Sequence, residues 1–157
     1  MNIFTFSQLE QLIKKINNKK VVVVGGCFDL LHLGHIIFLQ KAKEQGEIVI
    51  VLLESDQTIK KLKGDRRPIH TQEVRSQILA ELKSVDFVLV LPPMKSNHEY
   101  DQLIEKLSPR VIATTEGDEY DFHKKRQAEK TGAKLVYVTK QINEHSTTQL
   151  IQKLSRE

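Results

Sequence analysis

Runs of consecutive apolar residues alternate along this chain with segments in which apolar residues recur every three or four positions. The runs Val21 to Val24 and Ile48 to Leu53 are apolar on both faces, which is typical of strands buried in a parallel sheet. Shorter runs predict three further strands, at Val85 to Leu91, Arg110 to Ala113 and Leu135 to Val138. The pattern therefore predicts about five strands.

The segments between these runs have the spacing of amphipathic helices. Leu9, Leu12 and Ile16 fall on one face of a first helix, which Ser7 can cap. Because strands and helices alternate throughout, the pattern predicts an α/β fold, a Rossmann-like doubly wound sheet of about five parallel strands. We expect a single domain over residues 1–157, in which residues 1–19 form a lead-in helix and residues 20–157 form the core.

The chemically distinctive residues follow the carboxyl ends of the predicted strands. Gly26, Glu54, Gly117 and the segment before Ser146 all occupy such positions, and right-handed crossovers bring them to one edge of the sheet. In an open α/β sheet ligands bind at this edge, where the free N–H groups and the positive dipole end of a helix favour phosphate. The arrangement predicts a site for a phosphorylated ligand.

The strand of valines leads into the pattern G-x-F-D-x-x-H-x-G-H. Its fixed positions are Gly26, Phe28, Asp29, His32, Gly34 and His35. Two imidazoles therefore lie where a strand turns into a helix, at the edge where a ligand is expected. The glycines that precede them allow a ligand to approach the backbone closely.

A basic segment from Lys60 to Arg67 follows the second buried strand. Gly64 and Pro68 predict a loop here rather than a continuing helix, so the basic side chains can fold over the phosphate-binding edge. Arg75 lies in the first half of the next predicted helix, near its positive end, which suggests a role with an anion. The alternative for both features is ordinary solvation at the surface.

Composition and charge limit the classes of partner. The net charge of the 157 residues is +4, which is too small to indicate nucleic acid and fits an anionic small substrate. Cys27 is the only cysteine, so no intramolecular disulfide can form. This fits a protein of a reducing compartment. The longest apolar run is too short to span a bilayer. We expect a cytoplasmic homodimer without nucleic acid or membrane partners.

Two other kinds of site are disfavoured by the sequence. A zinc site at His32 and His35 would need further cysteine or histidine ligands at matching spacing, and the sequence offers none. The pattern G-x-x-x-x-G-K-[ST] of P-loop enzymes is also absent. The two histidines are therefore expected to act on a phosphorylated ligand in another way.

Taken together, these residues resemble the nucleotidyltransferases of the cytidylyltransferase-like superfamily, whose HxGH motif carries α-phosphate chemistry. Within that superfamily the block Leu62 to Ile69 and the lead-in helix look like the adenylyltransferase domain of the bacterial ADP-heptose synthases. The segment Ser146 to Ile151 resembles an S-T-T-x-x-I element shared with glycerol-3-phosphate cytidylyltransferases. A sugar-kinase domain accompanies this domain in many members, and none is present in these 157 residues, so we expect a stand-alone transferase.

The chain departs from this family at two places. Glu144-His145 replaces a small or apolar pair before the S-T-T element, and the K-G-G-D-like loop reads Thr115 to Asp118, with a carboxylate added and a lysine missing. Both changes lie where the acceptor and the base would be recognised. They do not change the expected reaction class, but the substrates can differ from those of the family.

The resemblance implies attack by an acceptor phosphate oxygen on the α-phosphorus of a nucleoside triphosphate, with release of pyrophosphate. ATP with a heptose 1-phosphate is the expected pair, and Mg²⁺ is expected to accompany the triphosphate. CTP with glycerol 3-phosphate is the alternative. A non-catalytic nucleotide-binding module is a second alternative, motivated by the altered loop residues.

The resemblance also implies a role for each site residue, with no residue as a dedicated metal ligand. The catalytic residues implied are His32, His35, Lys63 and Arg75. The nucleotide-binding residues implied are Gly25, Gly26, Cys27, Phe28, Gly34, Lys61, Gly117, Asp118, Ser146, Thr147 and Thr148. The acceptor-binding residues implied are Asp29, Asp56 and Arg75.

Overall fold

The computed structural model describes residues 2–140 and 147–155. The strands are β1 (Ile3–Thr5), β2 (Val21–Gly26), β3 (Ile48–Leu53), β4 (Phe87–Val90), β5 (Val111–Thr115) and β6 (Lys134–Thr139). The helices are α1 (Leu9–Ile16), α2 (Leu33–Lys43), α3 (Asp56–Lys63), α4 (Gln72–Ala80), α5 (Asn97–Leu107), α6 (Asp121–Thr131) and α7 (Thr147–Leu154). A short 3₁₀ turn, Phe6–Gln8, joins β1 to α1.

The strands form one parallel sheet in the order β1-β4-β3-β2-β5-β6. From β2 the chain moves outward through β3 to β4, and it then returns to place β5 and β6 on the other side of β2. The direction of winding therefore reverses between β2 and β5, which is the point where ligands bind in sheets of this kind. The predicted doubly wound α/β fold is confirmed.

The sheet is buried on both faces, as its sequence predicts. Val21 and Val23 pack into the core on one face, whereas Val22 and Val24 pack into the core on the other. Because side chains alternate along a strand, a run of four valines supplies both cores equally. The valine strand is consequently fixed at the centre of the sheet, and its carboxyl end is fixed with it.

Three local features differ from the sequence predictions. The sheet has a sixth strand, β1, which pairs with β4 but spans only three residues, too few to show a hydrophobic period. β2 continues through Gly25 and Gly26, which pair with Leu52 and Leu53, rather than ending before them. The basic residues up to Lys63 lie on helix α3 rather than in a loop.

Helix α3 has clear local causes. The Ser55 hydroxyl accepts a hydrogen bond from the backbone N–H of Thr58 and caps the helix. The helix ends at Gly64, whose φ of 93° lies in a region that side chains disfavour. Within residues 2–140 and 147–155, no helix is both long enough and apolar enough to cross a membrane.

Candidate active site

A pocket of about 240 Å³ opens at the carboxyl edge of the sheet, between the ends of β2 and β5. It therefore lies at the point where the winding of the sheet reverses. It is lined by Gly25, Gly26, Cys27, Phe28, His32, Gly34, His35, Phe38, Thr114, Thr115, Asp118, Lys124, Thr139 and Lys140. Eight of the predicted site residues, from Gly25 to Asp118, are among them.

The two motif histidines form one wall of this pocket. His32 is the N-cap of α2 and has an extended backbone, while His35 lies in the first turn of the helix. Their rings stack with centroids 3.8 Å apart and an interplanar angle of 25°. The ring of Phe28 packs against His35 with a centroid distance of 5.2 Å. Both imidazoles are thus held in place before a ligand arrives.

Gly34 makes the stacked arrangement possible. A Cβ atom at this position would lie 3.0 Å from both Cε1 and Nδ1 of the His32 ring. That distance is shorter than most carbon contacts, so with a side chain here the imidazole would have to shift by a few tenths of an ångström. The glycine of the H-x-G-H pattern therefore allows the close packing of His32.

The His35 imidazole is neutral near physiological pH. Burial, with smaller contributions from the charges of His32 and Lys63, lowers the pKa of His35 to about 3. A neutral imidazole donates from one ring nitrogen only. His35 can therefore offer a single N–H to a phosphate oxygen, and it carries no positive charge when it does so.

Asp29 has a different position from the acceptor-binding one that we predicted. Its carboxylate, with 1% of the side chain exposed, accepts a hydrogen bond from Nε of Arg67 at 2.6 Å. It also accepts from the backbone N–H groups of Ile69 and His70. Burial opposes the charged form, but these two N–H groups and Arg67 outweigh it and lower the pKa of Asp29. Asp29 thus fastens the segment after α3 to the motif turn.

Arg75 is likewise placed differently from the prediction. Its side chain is fully buried, and its guanidinium donates to the carbonyl oxygens of Cys27, His70 and Glu54 at 2.6 to 3.0 Å. It also pairs with Asp56 at 2.7 Å. Since no part of the guanidinium is exposed, Arg75 cannot contact an acceptor in this conformation, and it holds the ends of β2 and β3 together instead. Asp56 remains 44% exposed at its side chain.

The two predicted lysines of α3 differ in their relation to the pocket. Burial raises the pKa of Cys27, and the charge of Lys63 is the largest opposing effect. The same charge helps to lower the pKa of His35. Both lysines are exposed on α3, and neither is among the residues that line the pocket. The roles predicted for Lys61 and Lys63 stay predictions.

Sequence reasoning missed Lys124, which lies on the pocket wall formed by α6 and the β5 loop. Its ammonium donates to Oδ2 of Asp118 at 2.7 Å and to the hydroxyl of Thr114 at 3.0 Å. Gly117, with φ of 79°, turns the chain between these groups. The loop lacks the lysine that is typical of the family. Lys124, on the helix that follows, supplies a positive charge to the same loop instead. The short spacing between Asp118 and Lys124 was the available signal.

Helix α7 begins against the motif turn. The hydroxyl of Thr147, which is largely buried, donates to the carbonyl oxygen of Leu30 at 3.1 Å. Thr148 follows on the exposed side of the same helix. Ser146 and the departure at Glu144-His145 lie outside the described residues. The S-T-T element is thus tied to the H-x-G-H motif through Thr147.

Comparison with known sequences places these features in a family. The sequence model described as cytidylyltransferase-like matches residues 23–153. The chain is 38% identical over 151 residues to the bifunctional protein HldE of Helicobacter pylori (strain ATCC 700392 / 26695), covering 94% of this chain and 30% of that protein. It is 37% identical over 157 residues to the bifunctional protein HldE of Helicobacter hepaticus, covering 98% and 30%. The chain thus spans about 30% of the length of these relatives.

Solved structures with the same fold were also found. The lipopolysaccharide core biosynthesis protein from Thermoplasma volcanium superposes with a TM-score of 0.62 at 24% identity, covering 78% of this chain and 96% of that chain. Pantothenate synthetase from Thermus thermophilus gives a TM-score of 0.62 at 14% identity, covering 88% and 62%. At these identities the likeness concerns the fold. The resemblance stated from the sequence is confirmed by the relatives, and the Rossmann-like fold by the structures.

Proposed function

This chain belongs to the cytidylyltransferase-like family of nucleotidyltransferases, and we propose that it transfers the nucleoside monophosphate of ATP to a heptose 1-phosphate with release of pyrophosphate. The observation that carries the proposal is the stacked pair His32 and His35 in a pocket at the carboxyl ends of β2 and β5. The HldE relatives favour ATP and a heptose phosphate as the substrates.

The acceptor phosphate is already ionised near neutral pH, so the reaction needs no general base. The bond that forms joins an acceptor oxygen to the α-phosphorus, and the bond that breaks joins the α-phosphorus to the oxygen that leaves with pyrophosphate. Catalysis then consists of positioning and of stabilising the negative charge that spreads over the phosphoryl oxygens. His35 donates its N–H to one of those oxygens, and His32 lies within reach of the neighbouring phosphate.

Lys63 supplies the positive charge on this side of the pocket. Its charge helps to lower the pKa of His35 in the free protein, which supports a role for Lys63 beside the triphosphate. The Asp29 carboxylate anchors Ile69 and His70, in the segment that follows α3, to the motif turn. This anchor limits how far the end of α3, and with it Lys63, can move away from the site.

We propose that Mg²⁺ enters together with the triphosphate. Among residues 2–140 and 147–155 there is no group of three or more histidine, cysteine or acidic side chains that could hold a metal ion. Phosphate oxygens are the ligands that Mg²⁺ commonly takes in nucleotide sites, with water completing its shell. When bound, the ion would neutralise charge on the leaving pyrophosphate.

The test is a matrix of ATP, CTP, GTP and UTP against heptose 1-phosphates and glycerol 3-phosphate, measured by release of pyrophosphate. ATP with a heptose 1-phosphate is expected to give the highest kcat/KM. Preference for CTP with glycerol 3-phosphate would replace the adenylyl assignment by the cytidylyl one and leave the mechanism unchanged. Nucleotide binding without pyrophosphate from any pair would assign the chain as a nucleotide-binding module.

A further inference from the structure

A carboxylate and a phenol form a second polar cluster beside the pocket. The hydroxyl of Tyr100, on α5, lies 2.9 Å from each carboxylate oxygen of Glu54, directly after β3. The backbone N–H of Glu54 donates to the carbonyl oxygen of Gly26 at 3.2 Å. Since Gly26 lines the pocket, Glu54 lies at the end of the strand next to the one that carries the phosphate-binding motif.

The buried Arg75 guanidinium joins this cluster to the pocket lining, because it donates to the backbone carbonyl oxygens of both Glu54 and Cys27. The charge of Glu54 adds to burial in raising the pKa of Cys27, which lines the pocket. Burial and the charge of Glu119 raise the pKa of Tyr120, and the charges of Cys27 and Glu54 add to this effect. Tyr120 is 44% exposed and follows the β5 loop. Glu54 therefore lies beside Cys27 at the carboxyl ends of β2 and β3, next to the pocket.

The carboxylate of Glu54 is a partly buried hydrogen-bond acceptor. Burial raises its pKa, and the hydrogen bond from Tyr100 and the charge of Arg75 oppose that effect. Arg75 does not reach the carboxylate, because its guanidinium is taken up by backbone carbonyl oxygens and Asp56. An ionised carboxylate has about four lone-pair sites, so one hydroxyl from Tyr100 leaves capacity for further donors.

The chemistry of this cluster distinguishes it from the phosphate site. A carboxylate repels phosphate and accepts hydrogen bonds from hydroxyl groups, and hydroxyl groups are what a sugar or polyol phosphate presents away from its phosphate. Of the three residues predicted for the acceptor, Asp29 and Arg75 are engaged within the fold, whereas Asp56 pairs with Arg75 and keeps 44% of its side chain exposed. Glu54 offers the acceptor's hydroxyl groups a further carboxylate, next to the motif on the side opposite β5.

We propose that Glu54, oriented by Tyr100, binds hydroxyl groups of the acceptor and so selects a polyhydroxylated phosphate. Glu54 contacts the substrate, whereas Tyr100 is a positioning residue that acts through Glu54. The inference rests on the proposed function, because it assigns the acceptor side of the same reaction.

The test measures equilibrium binding, so that it does not depend on turnover. Heptose 1-phosphate, its monodeoxy analogues and glycerol 3-phosphate are titrated calorimetrically into the protein saturated with a non-hydrolysable analogue of ATP or CTP. In the wild type, loss of the hydroxyl that meets Glu54 should weaken binding about tenfold, as expected for one hydrogen bond to a charged group. In Glu54→Gln and Tyr100→Phe that difference should shrink, while affinity for the nucleotide analogue stays unchanged.

Tyr137→Phe is the matched control. The Tyr137 hydroxyl also bonds a carboxylate, that of Asp121, but neither residue lines the pocket. This variant should keep the wild-type ranking of acceptors. Thermal unfolding of all variants checks that each one is folded. If Glu54→Gln does not fold, Tyr100→Phe provides the test.

Three results would overturn the inference. They are an unchanged preference for hydroxyl groups in both variants, a parallel loss of nucleotide affinity, and no binding of any acceptor to the wild type. Failure of the proposed function is a separate result, because it consists of no pyrophosphate release by the wild type with any substrate pair. Binding that depends on Glu54 without turnover would leave the subsite intact and remove the reaction.

Discussion

The imidazole of His35 stacks on that of His32 with the two ring centroids 3.8 Å apart, and Gly34 leaves the space that this stacking needs. The pair presents its ring N–H groups from a helix N-terminus at the edge where the sheet reverses its winding. Preorganised donors of this kind stabilise charge that develops in the transition state. The predictions below follow from this geometry and from the groups around it.

Replacement of His35 by alanine should abolish most of the turnover while the fold is kept. Removal of one preorganised donor to the phosphoryl oxygens costs about 100-fold or more in rate. The measurement is kcat for pyrophosphate release, with circular dichroism and thermal unfolding as controls for the fold. Activity near that of the wild type would refute the catalytic assignment of His35.

The stability of the protein should fall at acid pH in part because of His35. Its folded pKa of about 3 lies below the unfolded value of about 6.5, so the unfolded state binds more protons between these limits. This contribution to stability is full above the unfolded pKa and is lost as the pH falls toward 3. At about pH 5 the loss amounts to about 2 kcal/mol.

His35→Gln should remove this part of the acid sensitivity. Urea unfolding at about pH 7.5 and about pH 5 measures it, since the drop in unfolding free energy should be smaller in the variant than in the wild type. Asp29, whose pKa is lowered, contributes to acid sensitivity equally in both proteins. Equal drops in the two proteins would contradict the depressed pKa of His35.

Lys63→Ala should raise the KM for the nucleoside triphosphate and lower kcat together. The charge of Lys63 affects the pKa values of Cys27 and His35, so we expect its loss to remove charge stabilisation of both the bound and the reacting phosphates. Lys60→Ala is the control, because Lys60 pairs with Asp65 on the exposed surface of the same region. An effect on thermal stability alone would identify Lys63 as an ordinary surface residue.

Lys124→Met should weaken nucleotide binding about tenfold or more, since a hydrogen-bonded charge at the pocket wall is lost and Asp118 is left without its cation. Lys125→Met is the matched control, because Lys125 pairs with Asp121 on the exposed side of α6. Fluorescence or calorimetric titration with ATP and CTP measures the effect. Equal affinities in the two variants would place Lys124 among structural residues.

Arg75→Ala should destabilise the protein by about 3 kcal/mol, because it leaves buried carbonyl oxygens at the ends of β2 and β3 without a donor. Arg75→Lys should rescue little, since one ammonium cannot reproduce the planar fork of donors. Urea unfolding measures both. A variant with wild-type stability and a raised KM for the acceptor would restore our original assignment of Arg75 to the acceptor site.

The sequence by itself determined the architecture and the place of the site. The alternation of apolar runs with helical spacing, the double-sided burial of Val21 to Val24, and the turn from Gly26 to His35 are all properties of short segments. The structure of such short segments can be predicted from the sequence, because backbone geometry and side-chain period are set locally. The same reasoning identified the family, and the predicted H-x-G-H histidines do line the pocket.

Only the tertiary structure decided which polar side chains face the pocket and which serve the fold. Arg75 and Asp29 satisfy their hydrogen-bonding groups on segments distant in sequence, whereas Lys124 and Glu54 lie at the pocket or beside it. A long charged side chain can reach partners on several elements, and its choice depends on their spacing after packing. That spacing is set by helices and strands that are far apart in sequence, so no local sequence pattern predicts it.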